Sequence, residues 1–288
     1  MGRRARVVAA AAVAAGLLAS CSGSSGGGSD AGPVDTTAKA TSTTAPQDLV
    51  LRAEAAGESD VDGNYRQGIA RSGDGWLFTT NNAIYRTDAA FNQTDQLLDA
   101  IPADLAVQGY DHLGDPDVAE GLIWVPVERD DKDAGQQVTA RYDEETLEFV
   151  DAVTVEQHHN AFIGVDDDGT AYSADEFSDD AIVRYRIVDG KVEAMDPLPL
   201  SQTVERIQGG DISGGALWLS TDDDHNGVYR VDLETGEVHD LGSTGHVDGE
   251  GEGIDATDVD GSLLHVLVAD AAIVPMWVVD LQVTSKPA

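Results

Sequence analysis

Five times along this chain a small residue in a polar setting is followed by a turn and a short apolar strand. The small residues are Gly68, Gly114, Ala161, Gly209 and Gly253, and they stand 46, 47, 48 and 44 residues apart. No other feature restricts the fold as much. Behind each anchor comes a second strand (76–78, 122–125, 170–172, 216–219 and 263–267) and then a third (83–86, 138–142, 182–185, 228–232 and 276–280). A fourth follows in four of the five repeats, as at 148–150 and 237–239. No stretch has sustained helical periodicity, so the units read as all-β. Four short strands recurring about every 40–50 residues predict the blades of a β-propeller, here five-bladed.

The turns agree with that reading. Asp168-Gly169, Asp189-Gly190, Thr235-Gly236 and Asp260-Gly261 read as hairpin turns in which glycine takes a positive φ without strain. The fifth repeat runs out before a fourth strand, and an apolar alternation at 49–54 precedes the first repeat without a partner. Residues 48–54 are therefore expected to complete the last blade, closing the ring and removing two exposed edges. The propeller domain is then 48–288. Tyr-Asp-Glu-Glu-Thr at 142–146 and Val-Asp-Leu-Glu-Thr-Gly-Glu-Val at 231–238 resemble the strand-turn-strand ends of YVTN/NHL-like bacterial propellers. The resemblance implies a fold and no particular activity.

The amino terminus is an address. Arg3, Arg4 and Arg6 precede an uncharged apolar run at 7–18, and Ala19-Ser20 lead into the only cysteine, Cys21. That run is too short for a stable membrane span, and residues 1–20 have the layout of a secretory signal peptide. Leu18-Ala19-Ser20-Cys21 resembles the lipobox of bacterial lipoproteins. The resemblance implies cleavage before Cys21, acylation (palmitate included) at that residue, and an extracytoplasmic protein held on the outer face of the cytoplasmic membrane. Arg3-Arg4 also suggests twin-arginine export, although the following residues match it poorly. Residues 21–47 are then the lipidated cysteine and a tether of Ser, Gly, Thr and Ala whose only charges are Asp30, Asp35 and Lys39. Such a segment buries too little surface to offset its ordering entropy and is expected to be disordered.

Composition narrows the partners. With 53 acidic against 17 basic residues the formal charge is -36, so a nucleic-acid partner, which needs Lys and Arg against its phosphates, is excluded. One cysteine excludes an intrachain disulfide framework and a cysteine-based zinc cluster. The acid excess also suits adaptation to salt, in which case much of it is solvation. A monomer is expected.

In a propeller each first strand starts on the face where the second strand ends, so distant residues meet there; we term it the upper face. The first strands bring Gln67, His112, Asp115, His159, Asn160, Gln208, Asp211, Glu252 and Asp255. The second-strand ends bring Asn81, Asn82, Glu128, Asp175, Glu176, Asp222, Asp223 and Asp270. Gln67, His112, His159, Asn160, Gln208, Glu128 and Glu176 are the candidates for ligand binding. Asp115, Asn160, Asp211, Glu252 and Asp255 offer the oxygen donors that a hard cation such as Ca2+ prefers. The adjacent His158-His159 is a poorer basis for zinc. Asp166-Asp167-Asp168-Gly169 lacks the spacing and distal Glu of a calcium loop and reads as a hairpin turn. Gly68, Gly114, Gly209 and Gly253 read as close-packing positions, and His225, His239, His246 and His265 have no partner visible in the sequence. No Gly-x-Ser-x-Gly elbow, P-loop or His-Glu-x-x-His motif occurs. Three readings stay open. One is a module that binds a small-molecule, cationic or protein ligand at the channel mouth. Another is a metal-dependent hydrolase or lyase of ester or lactone type, with His112 or His159 as base. The third is an envelope scaffold.

Overall fold

Each repeat folds into an antiparallel sheet, and five sheets close a β-propeller. The computed structural model describes residues 49–129, 131, 135–175, 180–246, 249–270 and 276–287. The signal, Cys21, the tether and Glu176 lie outside the described residues. Strand β1 is Leu49–Val61. Blade one holds β2 (Gly68–Ser72), β3 (Gly75–Thr80), β4 (Ala83–Thr87) and β5 (Gln93–Leu98). Blade two holds β6 (Tyr110–Leu113), β7 (Asp117–Ala119), β8 (Leu122–Arg129), β9 (Gln137–Asp143) and β10 (Phe149–Val155). Blade three holds β11 (Gly164–Val165), β12 (Thr170–Ser173), β13 (Ala181–Val188), β14 (Lys191–Ala194) and β15 (Leu198–Pro199). Blade four holds β16 (Ile207–Ser213), β17 (Ala216–Thr221), β18 (Gly227–Asp232) and β19 (Val238–Ser243). Blade five holds β20 (Gly249–Asp255), β21 (Leu263–Asp270) and β22 (Met276–Pro287), and β1 completes it.

A blade is covered on both faces by its neighbours, so its second strand is buried throughout rather than at alternate residues. All of β17 and all but the last residue of β3 are buried. The core is accordingly divided among the junctions. Leu77, Leu113, Ile123 and Tyr142 fill the wedge between blades one and two, and Trp124, Ile163, Ala171 and Tyr185 that between two and three. Phe162, Ile182, Leu217 and Tyr229 pack between three and four, Trp218, Ile254, Leu264 and Val266 between four and five. Ile69, Trp76, Phe78, Leu267 and Val278 seal five against one.

The ring closes as the sequence predicts, but over a longer strand. β1 pairs antiparallel with β22 from Leu49↔Pro287 to Val61↔Met276, with one bulge at Ala55/Gly57. Past residue 54 the strand runs on antiparallel along the first half of β22, from Ala55↔Leu281 to Val61↔Met276. Gly169 (φ 73), Gly190 (φ 69) and Gly236 (φ 73) take the expected left-handed conformation. Asp260-Gly261 does not form a hairpin turn. It ends a 3-10 turn, Val259–Gly261, and the left-handed residue is Ser262 at φ 67. Blade two departs in another way: β6 and β7 both pair with β8 and are separated by Gly114, Asp115 and Pro116. Pro116 has no N–H for the ladder. That break turns Asp115 toward the axis.

Candidate functional site

Asp115 sits at the centre of the ring, fully buried. Its Oδ1 accepts from Ile69 N (2.9 Å, blade one), and its Oδ2 accepts from Gly210 N (3.0 Å, blade four) and Ile254 N (3.2 Å, blade five). Its own N–H donates to Ala161 O at 2.7 Å, and Ile163 N donates to its carbonyl at 3.2 Å, both in blade three. One residue of blade two is thus bonded to all four other blades. The approach is so close that a Cβ on Gly253 would stand 2.3 Å from Asp115 Oδ1, and one on Gly68 2.5 Å from Asp115 Cα. These glycines are close-packing positions, as the sequence suggests, and together with the carboxylate they fill the waist of the channel. Burial pushes the Asp115 carboxyl well above the usual range, the three amides pulling the other way.

Below that waist lies a tier of carboxylates. In register, Arg71 faces Trp76, Asp117 faces Trp124, Val165 faces Ala171, Asp211 faces Trp218 and Asp255 faces His265. Asp117 Oδ2 accepts from Val165 N at 2.7 Å, Asp211 Oδ2 from Ala256 N at 2.6 Å, and Asp255 Oδ2 from Arg71 N at 2.7 Å. Each bond crosses to the next blade. All three carboxyls are raised, first by burial: Asp117 to about 6, with Asp255 adding repulsion, and Asp211 by repulsion from Asp117 and Asp255 as well.

The upper face differs. At the junction of blades two and three the buried Glu128 brings Oε1 to 2.5 Å from His159 Nδ1 and also accepts from Asn160 N. His159 itself is 5% exposed. Asn160 Nδ2 donates to Val138 O at 3.0 Å, and Ser173 Oγ donates to Asn160 Oδ1 at 2.8 Å. Gln157 Nε2 donates to Ser173 Oγ (3.0 Å) and His159 O (3.2 Å), while its buried Oε1 has no hydrogen-bond partner among the described residues. His158 Nδ1 lies 2.9 Å from Asp175 Oδ2 beside this cluster. On the same face in blade five, burial and then the like charge of Glu250 push Glu252 to about 8, against a smaller downward pull from Arg66.

The structure brings Glu128, His159 and Asn160 into direct contact. Gln67, His112 and Gln208 are half-buried at the first-strand starts of their own blades on that face. The five expected Ca2+ ligands do not meet. Asp115 is engaged by three amides at the waist, Asp211 and Asp255 lie below it, and only Asn160 and Glu252 belong to the upper face. Among the described residues no group of three or more His, Cys, Asp or Glu is placed to hold a metal ion. Those five side chains therefore do not fit one cation. Asp166 serves its own hairpin, accepting from Asp168 N and Thr170 N, and Asp223 likewise accepts from His225 N and Gly227 N. The histidines without a visible partner have acquired them. His265 lies between Asp280 (2.7 Å) and Asp258 (3.3 Å). His246 meets Glu58 at 2.9 Å and stacks on Trp277. His225 is 3.1 Å from Asp223 and His239 is 3.8 Å from Glu237. Sequence reasoning missed Asp117, whose register opposite a tryptophan matches that of Asp211.

No protein-family model matches the sequence, and no curated protein matches it. Among solved structures it is similar to a gluconolactonase from Xanthomonas campestris, with a TM-score of 0.50 and 16% identity over 76% of this chain and 72% of that one. It is also similar to a luciferin-regenerating enzyme (TM-score 0.51, 13% identity, 75% of this chain and 77% of that one). Regucalcin from Agrobacterium tumefaciens, a calcium-binding protein, aligns with TM-score 0.48 and 13% identity over 74% and 76% of the two chains. At these identities the likeness is one of fold.

Proposed function

We propose that this chain is a lipid-anchored extracytoplasmic propeller that hydrolyses an ester or lactone at its upper face. The observation that carries the reading is the buried Glu128–His159 contact at 2.5 Å. The carboxylate lies against Nδ1, and with the proton on that nitrogen Nε2 is the basic one. His159 Nε2 takes a proton from water as the water oxygen bonds to the substrate carbonyl carbon. Glu128 stabilises the resulting imidazolium. As the carbon–oxygen bond to the leaving group breaks, Nε2 returns the proton to the departing alkoxide, so the pair ends as it began. Gln157 Oε1, buried and without a donor among the described residues, offers a hydrogen-bond acceptor beside this pair for an N–H or O–H of the bound molecule. The name of one aligned structure, a gluconolactonase, suits this class of reaction and fixes no substrate.

The test is turnover of a panel of aliphatic esters and lactones by the wild type, His159→Gln and Glu128→Gln. Removing a general base costs roughly 100-fold or more in kcat, so His159→Gln, assayed at a temperature where it is folded, should be nearly inactive. A wild type that turns over nothing in the panel, or a fully active His159→Gln, overturns the hydrolase. Saturable stabilisation by a panel compound without turnover would leave binding alone. The anchor has a separate test. Cys21→Ala should move the protein from the membrane to the soluble fraction, and unchanged membrane recovery would refute acylation there.

A further inference from the structure

We propose that Gln67, Gln208 and Glu252 form a subsite for a primary ammonium group at the upper mouth of the channel, so that the molecule held there carries a protonated amine. Each of the three stands immediately before an anchor glycine, on the consecutive blades four, five and one. Those glycines touch. A Cβ on Gly209 would stand 2.7 Å from Gly253 Cα, and one on Gly253 2.7 Å from Gly68 Cα. The three side chains therefore leave the backbone at one level, from segments already in contact. Each also leaves it at a bulge. Gln208 is the extra residue between Ile207 and Gly209, and Glu252 lies between Gly251 and Ile254. Arg66 N and Gln67 N both donate to Thr79 O at 3.1 Å, the same two-to-one pairing. A bulge re-aims a side chain out of the ladder's alternation, here three times around one mouth. Before the other two anchors, Leu113 is apolar and Asn160 is engaged with Val138 O and Ser173 Oγ. The three acceptors thus lie on the side of the mouth away from His159.

Among the described residues the Glu252 carboxyl and the Gln67 and Gln208 carboxamides have no hydrogen-bond partner, although Glu252 is only 8% exposed. Buried polar groups are normally satisfied, and a buried carboxylate needs a positive or donating partner. Among the described residues no cation pairs with this one. Arg206 is taken by Asp222, and Arg66 pulls the Glu252 carboxyl down less than burial and Glu250 push it up. Three acceptors match the three N–H groups of a primary ammonium, the carboxylate supplying the counter-charge. They fall short of the roughly six to eight oxygens that Ca2+ takes. A neutral hydroxyl would satisfy the carboxamides but bring no charge to answer a carboxylate with Glu250 beside it. The net charge of -36 also draws cations to the protein. With His159 across the mouth, the substrate becomes an ester or lactone with an amine away from the scissile carbonyl. That last step rests on the hydrolase reading, and binding at Glu252 does not.

The experiment is calorimetric binding of n-butylammonium at pH 8 and fixed ionic strength, with melting temperature as a second readout. The wild type should bind it saturably and melt higher as it is added. 1-Butanol, which lacks the charge, and tetramethylammonium, which lacks the N–H donors, should bind about tenfold more weakly or worse. Glu252→Gln should weaken butylammonium by about tenfold or more, and Gln67→Leu or Gln208→Leu by roughly two- to tenfold. Equal binding by wild type and Glu252→Gln overturns the subsite. So does 1-butanol binding as tightly as butylammonium, which would mark a hydroxyl site. Ca2+ raising the melting temperature through Glu252 while butylammonium does not would mark a metal site and overturn it too. If Glu252→Gln does not fold, the two Leu variants decide by the same criterion. In turnover, the preference in kcat/KM for an amino-ester over its hydroxy analogue should fall about tenfold in Glu252→Gln. A protein that hydrolyses no ester yet binds butylammonium through Glu252 loses the hydrolase and keeps the subsite. One that hydrolyses esters and ignores butylammonium keeps the hydrolase and loses the subsite.

Discussion

The two ends of the propeller axis are both polar, yet they use their carboxylates in opposite ways. Below the waist, Asp117, Asp211 and Asp255 are met by backbone N–H groups of neighbouring blades. Above it, Glu128 is met by an imidazole, and Asn160 and Gln157 are held by hydroxyl, carbonyl and amide groups. A backbone amide fixes a carboxylate and gives it nothing to react with. An imidazole turns it into half of an acid–base pair. What reaches a buried acid, rather than the acid itself, decides whether it holds the ring or offers chemistry.

Asp115 marks the border between the two ends, and removing it should have the largest effect. Asp115→Ala would leave the Ile69, Gly210 and Ile254 amides unpaired in a closed space. At roughly 1–2 kcal/mol for each of the three unsatisfied donors the loss is about 3–6 kcal/mol, to which the small void adds. Denaturant unfolding reads it directly. Glu128→Gln at the upper end should cost far less, since the carboxamide can still accept from Asn160 N. Equal losses for the two would erase the distinction between a keystone and a site residue.

The period of the repeats made the five blades and their closure legible, because both depend on spacing alone. Placement along the axis was not legible in the same way. A strand advances about 3.3 Å per residue, so Asp255, three residues beyond Glu252 in β20, lies about 10 Å further from the mouth. The alignment of anchors put both at the same rim. The bulges between Ile207 and Gly209 and between Gly251 and Ile254 shift the register further, and Pro116 breaks the first strand of blade two outright. The Trp-facing register of Asp117 and Asp211 was present in the sequence and could have separated the tier from the mouth. His246 could not have been paired in advance, since Glu58 lies 188 residues away and belongs to the closing strand.

A smaller effect distinguishes the ends by pH. Glu252 at the upper face is raised to about 8, chiefly by burial and then by Glu250, whereas in the unfolded chain it ionises near its ordinary value of 4.5. Between those values the native state holds a proton that the unfolded state has lost, so this group's contribution to stability is present in acid and declines as pH rises toward 8. Gln carries no proton to lose. Glu252→Gln should therefore resemble the wild type at pH 5 and exceed it at pH 9, by about 1–3 kcal/mol once relaxation and water penetration are allowed for. Burial raises Asp117 as well, to about 6, so its share of the decline should end near pH 6 while that of Glu252 continues toward 8. Glu252→Gln should remove the part of the decline that persists above pH 6 and leave the part below it. If Glu252→Gln instead flattens the whole curve, or lowers stability at pH 9, the two ends do not titrate separately and the waist at Asp115 does not divide them.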